Sequence, residues 1–367
     1  MDTSTQPFVF ISGYGPASQA CLRAFRFDGA TGALTPAGEF GGIDNPAFLA
    51  IHPNGRWLYT VSEGGPGAGV WATRLDFDPL RVTPVNHQSS GGEGPCHVAL
   101  DATGRWLFVA NYGSGSAAML PIRPDGSLGE RADFHQHRGT GPNAARQEGP
   151  HAHSTTLTPD NQYALVADLG LDRVMMYQLD LEAGKMRLHA DVPAPPGAGP
   201  RHMDFHPDGQ RLYVANELDS TVAVYDYSAD GGSLRLAQVL PTLPPGAPES
   251  SVADIHVAPS GMRVYVSNRG HDSLAVYAVG AEGRLATLAI EPCGGRIPRN
   301  FAIAPGGNFA LVGEQDDGVV CVLPLGREGR EVGQAVARVS MPMPACIKFM
   351  ALEQVGASTP ARTAGAG

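Results

Sequence analysis

Short apolar runs alternate with turn-forming residues from end to end of this chain. Six segments share one pattern. They are NPAFLAIHPNGRWLYTVSE from Asn45, GPCHVALDATGRWLFVANY from Gly94, AHSTTLTPDNQYALVADL from Ala152, GPRHMDFHPDGQRLYVANE from Gly199, SVADIHVAPSGMRVYVSNR from Ser251 and IPRNFAIAPGGNFALVGEQ from Ile297. Each begins with a short apolar strand, passes a Pro-Asp-Gly-like turn and enters a second strand such as LYVAN. That turn is hairpin chemistry, because residues tolerant of positive φ match the twist that joins antiparallel strands. A third strand follows, as in STVAVYDYS from Ser220, then a Gly-rich turn and a weaker fourth strand. The turn prolines Pro159, Pro207, Pro259 and Pro305 are 48, 52 and 46 residues apart. A unit of about 50 residues lies in the range of propeller blades.

Four antiparallel strands per unit, repeated about an axis, predict an all-β fold, a β-propeller. Six full units fill the middle of the chain. FVFISGYG and CLRAFRFD, near the N-terminus, read as second and third strands that lack a first. PACIKFMAL, near the C-terminus, reads as a first strand that lacks the rest. Together they predict a seventh blade closed by pairing of the N- and C-terminal strands. The expected organisation is one seven-bladed domain over residues 1–352, followed by a small, polar, disordered tail over residues 353–367.

Composition narrows the function. The 367 residues include 47 glycines and 31 prolines, which argues against a helical bundle, and the glycines follow no collagen period. The net charge is −10, so a basic footprint on nucleic acid is not expected. No apolar run reaches membrane-spanning length, and the opening MDTSTQPFVFISGYG lacks the parts of a signal peptide. The five cysteines are scattered, odd in number and without a CxxC pair; this predicts free thiols in a reducing, cytoplasmic compartment. No GxSxG, no phosphate-binding GxxxxGK and no dinucleotide glycine motif occurs.

Geometry then limits where chemistry can sit. The first and second strands of a blade are antiparallel. The start of the first strand therefore lies beside the end of the second, on one face of the disc. Across the blades, the first-strand column reads Ala47, Cys96, His153, Arg201, Ala253, Arg299 and Ala345. The next column reads Phe48, His97, Ser154, His202, Asp254, Asn300 and Cys346. The second-strand ends read Glu63, Tyr112, Leu169, Glu217, Arg269 and Gln315. Strand starts in an apolar repeat do not need arginines, yet Arg201, Arg269 and Arg299 converge there with His153 and Glu217. Guanidiniums facing a pocket in an acidic chain point to an anionic ligand, a carboxylate or a phosphate. His153 or Glu217 would be its acid or base. The structural alternative is a simple ion pair between Arg201 and Glu217 within one blade. His151 and His153, two apart on a strand, would share a face and could chelate a metal, but no third ligand lies at nearby spacing. His135 and His137 belong to a long polar loop, a solvated loop that could also reach over the pocket. His52 and His206 precede turn prolines and read as turn residues.

GAGPRHMDFHP (Gly197 to Pro207), NEL (Asn216 to Leu218), ADIH (Ala253 to His256), PRNF (Pro298 to Phe301) and HAHS after RQEGP (Arg146 to Pro150) resemble the cycloisomerase-type lactonase family. Its members include propeller-type 6-phosphogluconolactonases and the fungal carboxy-cis,cis-muconate cyclase. The resemblance covers about residues 8 to 350. It implies a seven-bladed propeller that needs no metal and no organic cofactor. Its polar site would fall on His153, Arg201, Glu217, Arg269 and Arg299.

The function expected is hydrolysis of an anionic sugar lactone, foremost 6-phospho-D-glucono-1,5-lactone. Its catalytic residues would be His153, Glu217 and Arg201. The substrate-binding residues would be Arg269, Arg299, His151, His202 and Asn300. Partners would be limited to the small-molecule lactone, with no nucleic acid or membrane, and the chain would be a monomer or weak homodimer. The alternatives are a muconate-type cycloisomerase on the same scaffold and a non-catalytic propeller that binds a partner protein.

Overall fold

The computed structural model describes residues 6–350, apart from 66 and 328–329. The tail expected over 353–367 lies outside the described residues. Seven antiparallel sheets are present among the described residues. Numbered in chain order, blade 1 spans 48–88, blade 2 95–136, blade 3 152–193, blade 4 200–241, blade 5 251–292 and blade 6 298–340. In each, the first strand is innermost and the later strands follow outward in chain order. Blade 6 differs at its rim, where Arg330–Val332 and Ala337–Ser340 both pair with Val319–Arg327.

Blade 7 is the predicted closure. Its innermost strand, Pro344–Met350, pairs with Phe8–Gly13, and Leu22–Phe27 and Leu34–Phe40 complete the sheet. Val9 lies opposite Phe349 and Ile11 opposite Ile347. One C-terminal strand thus closes a sheet of three N-terminal strands, and the innermost strands touch their neighbours in a complete ring.

Burial explains the strand pattern. The middle strands are covered on both faces by adjacent blades, so Tyr163–Asp168 is buried at every position. The outermost strand Lys185–Pro193 is mostly exposed. The core is a ring of layers between blades rather than one centre. Leu165, Val174 and Met176 of blade 3, for example, pack on Leu212, Val214 and Tyr225 of blade 4. The histidines ahead of the turn prolines join blades as well as shaping turns. His52 Nε2 meets the Gly104 carbonyl oxygen, and His206 Nε2 meets that of Gly261, each at 3.0 Å. The Nδ1 of His52 accepts the N–H group of Asn54, which makes its Nε2 the donor.

The innermost strands share a further device. In blade 2 the pairing passes from Pro95 to His97 and skips Cys96. Blade 3 skips His153, blade 4 skips Arg201 and blade 6 skips Arg299 in the same way. A β-bulge leaves its extra residue out of the ladder and re-aims the side chain. The bulged residues are those of the first-strand column.

Candidate active site

The bulges and the ends of neighbouring second strands meet at one mouth of the axial channel, around a pocket of about 190 Å³. Four arginines, Arg146, Arg201, Arg269 and Arg299, face two carboxylates, Glu63 and Glu217. His153, Cys96 and Tyr112 complete the lining.

Glu217 is the hub. Its Oε2 accepts from Arg201 Nε at 2.8 Å and from Arg269 Nη2 at 2.9 Å, and its Oε1 accepts from Arg146 Nη2 at 2.7 Å. Arg201 is 2% exposed and also donates to the Ala253 carbonyl. Arg269 also donates to the Val252 carbonyl. Opposite this group, Arg299 donates to the Tyr14 hydroxyl at 2.6 Å, which in turn donates to Glu63 Oε2 at 2.7 Å. Two buried polar atoms here have no hydrogen-bond partner, His153 Nδ1 and Arg269 Nε. Buried polar groups are almost always paired in a finished structure. A ring nitrogen and a guanidinium N–H of one pocket are thus left without a partner in the protein itself.

Electrostatics sorts the roles. Burial would raise the Glu217 carboxyl, but Arg269, Arg201 and Arg146 outweigh it and hold it down at about 2. Glu217 is a fixed anion, too acidic to take a proton near neutral pH. Burial, then Arg201 and the other arginines, pushes His153 well below its ordinary 6.5. Its imidazole is neutral and basic in form. Burial and the nearby Arg269 lower Arg201 to about 10, so it stays charged. Burial raises the Cys96 thiol, with Glu63 adding to it. Cys96 stays protonated, and a thiolate nucleophile is not on offer.

Local sequence explains the placement. Gly197 and Gly199 take positive φ, +81° and +64°, so the chain can turn sharply just before Arg201. Asp172 accepts both of their N–H groups and the side-chain amide of Gln147. Gln147 is fully buried and also donates to the Leu169 carbonyl. The stem of the Arg146 loop and the turn before Arg201 are thus tied to one carboxylate. A second carboxylate, Asp168, ties the ends of that loop: Oδ2 meets His137 Nδ1 at 2.5 Å and Oδ1 accepts the His151 N–H. His137 Nε2 meets the Tyr177 hydroxyl at 2.9 Å. The long polar loop is anchored on buried groups and reaches the pocket.

His153, Arg201, Glu217, Arg269 and Arg299 are brought together. His151 is not part of the lining. Its ring stacks on Tyr112 with centroids 4.5 Å apart and meets Glu148 at 3.2 Å. It precedes the strand and His153 is bulged, so the strict alternation assumed for a two-histidine chelate fails; no metal-ligating group of three or more His, Cys, Asp or Glu occurs among the described residues. His202 and Asn300, expected to bind substrate, face away from the pocket. The bulge sends Arg201 and Arg299 to the mouth and leaves the next residue one layer deeper. There His202 Nδ1 meets Asp254 Oδ1 at 2.7 Å and Asn300 Nδ2 donates to Asp254 Oδ2.

Arg146 and Tyr14 were not among the expected site residues. Arg146 lies in a loop outside the repeat, and its only signal was the RQEGP segment. Tyr14 follows the second strand of the closing blade, and extending the second-strand column to that blade would have found it. Glu63, Tyr112 and Cys96 stood in the columns without an assigned role.

Comparison with known proteins bears on this site. Residues 8–349 match the family model described as Lactonase, 7-bladed beta-propeller. The 6-phosphogluconolactonase of Bacillus subtilis is 32% identical over 348 residues, 94% of this chain and 99% of that protein. The 6-phosphogluconolactonase of Formosa agariphila is 32% identical over 302 residues, 80% of this chain and 85% of that protein. The solved structure of the periplasmic gluconolactonase of Pseudomonas aeruginosa superposes with a TM-score of 0.88 at 32% identity, covering 94% of this chain and 99% of that one.

Proposed function

Because the chain belongs to the seven-bladed β-propeller lactonase family, we propose that it hydrolyses a phosphorylated sugar lactone, 6-phospho-D-glucono-1,5-lactone, to the open hydroxy acid. The observation that carries this reading is the unpaired Nδ1 of a neutral His153 set among four guanidiniums. Named relatives support the substrate class.

The steps follow from the groups present. Arg201 and Arg269 receive the lactone carbonyl oxygen and stabilise the oxyanion that forms on it. A water attacks the carbonyl carbon while His153 Nδ1 takes its proton. The tetrahedral intermediate collapses, the bond to the ring oxygen breaks, and the imidazolium returns the proton to that oxygen. One water is consumed, and the ring ester becomes a carboxylic acid and a hydroxyl; the acid then gives up its proton to solvent as the carboxylate. Glu217 stays ionised, aligns Arg201 and Arg269, and stabilises the imidazolium as it forms. This divides the two roles left open between His153 and Glu217.

A cytoplasmic setting is part of the same proposal. All five cysteines are free and buried, as suits a reducing compartment. No helix among the described residues is long and apolar enough to cross a membrane.

The test follows acid release from fresh 6-phosphogluconolactone with chelator-treated protein, against the spontaneous rate. The reading requires clear acceleration that disappears in Arg201→Ala. No acceleration by a folded wild-type protein would remove it.

A further inference from the structure

The four guanidiniums are not equivalent. Arg201, Arg269 and Arg299 project from strands and are fixed by backbone carbonyls or by Tyr14. Arg146 comes from the loop at the mouth, and its side chain is 42% exposed. Its side chain is held by two groups of the site itself, Glu217 Oε1 at 2.7 Å and the Tyr112 hydroxyl at 3.3 Å. Its backbone, by contrast, is pinned by the buried side chain of Gln147. A cation on a fixed stem can turn from Glu217 to a ligand at the mouth without any movement of the loop.

Charge says what that ligand is. Four guanidiniums against two carboxylates leave a surplus of two positive charges in a chain whose net charge is −10. The oxyanion of lactone hydrolysis uses one, and only while it exists. The second suits a group that the substrate carries permanently. The pocket of 190 Å³ has room for about six waters, enough for a ring, with a substituent directed outward. Arg146 stands where that substituent emerges, and a guanidinium offers the paired donors that fit phosphate oxygens.

We propose that Arg146 is the specificity-determining residue of this site, reading a terminal phosphate on the lactone and releasing Glu217 Oε1 as it does so. The proposal rests on the lactonase reading above. The experiment compares kcat/KM for 6-phosphogluconolactone and unphosphorylated glucono-1,5-lactone in wild type, Arg146→Ala and Arg146→Lys. Wild type should prefer the phosphorylated lactone. Arg146→Ala should shrink that preference about 10- to 100-fold, the scale of one charged hydrogen-bonded contact, chiefly through KM of the phosphorylated substrate. Arg146→Lys should restore part of it. Competitive inhibition by inorganic phosphate should weaken in Arg146→Ala in parallel. An equal loss on both lactones, or no loss on either, would overturn the assignment while leaving the lactonase reading intact. A wild type that accelerates neither lactone would overturn both.

Discussion

The axial channel has two ends, and they differ in how far their polar groups are already paired. The end opposite the candidate site holds the larger cavity, about 550 Å³, lined by His97, His202, Asp204, Asp254, His256 and Lys348 among others. It also collects histidines and aspartates. Its polar groups, however, are largely spent on one another. Asp254 receives His202, His256, Asn300 and the N–H groups of Ile255 and Phe301. Burial would lower His256, but Asp254 and Asp204 outweigh it and raise it to about 9, whereas burial and Arg201 push His202 down to about 4. Among the described residues, its one fully buried side-chain atom without a partner is the Thr155 hydroxyl. The smaller end has an unpaired base, an unpaired guanidinium N–H and surplus positive charge. Volume and polar content favour the larger end; unspent donors and acceptors favour the smaller one, where the proposed chemistry is assigned.

The sharpest way to break this contrast uses two histidines that touch. The His153 and His202 rings lie with centroids 5.3 Å apart, one in each layer. His153→Ala should lower kcat by about 10²- to 10⁴-fold, the usual worth of a positioned base. His202→Ala, which removes a partner of Asp254 and nothing from the pocket, should lower it by less than about tenfold. Steady-state rates on folded protein decide it, and equal losses would erase the division between layers.

Next in size is the pair of hubs. Glu217→Gln keeps the shape but strips the anion from among three guanidiniums. Turnover should fall about 10²-fold. Asp254→Asn strips the anion from the opposite hub. It should reduce stability by about 3 kcal/mol, as losing one partner of a buried charged network does, with a much smaller effect on kcat. Denaturant unfolding and kinetics on the same preparations separate the two. A kinetic loss in Asp254→Asn as large as in Glu217→Gln would place the deeper layer in the mechanism.

How much of this was readable beforehand follows from what repeats. The blades were legible because every unit spends its apolar residues in the same way, and the closure was legible because PACIKFMAL and FVFISGYG are complementary halves of one unit. His153, Arg201, Glu217, Arg269 and Arg299 were legible because position within a repeat fixes position on the disc. The bulge was not. It changes no residue type and shows only as a skipped pairing, so His202 and Asn300 seemed one step nearer the pocket than they are. Arg146 was hidden for the opposite reason, since it sits in a long loop that departs from the repeat. Its place depends on Asp168, Asp172 and Gln147, whose partners are distant in sequence.

The smallest expected effect is a rate that barely changes with pH. An ordinary histidine base would lose half its activity near 6.5. Burial and the surrounding arginines hold His153 well below that, so its basic form persists as the solution is acidified. Between pH 8 and 6 the enzyme-dependent part of kcat/KM should vary by no more than about twofold, once spontaneous lactone opening is subtracted. The same shift acts on folding with a defined sign. Below pH 6.5 the unfolded chain binds a proton at this residue that the folded chain refuses, so stability declines as pH falls through the unfolded value and is retained above it. Weakening the field should move the rate first: in Arg269→Ala the acid limb should rise toward 6.5. A limb already at 6.5 in the wild type would mean that the base lies outside the arginine cluster, and would take the role from His153.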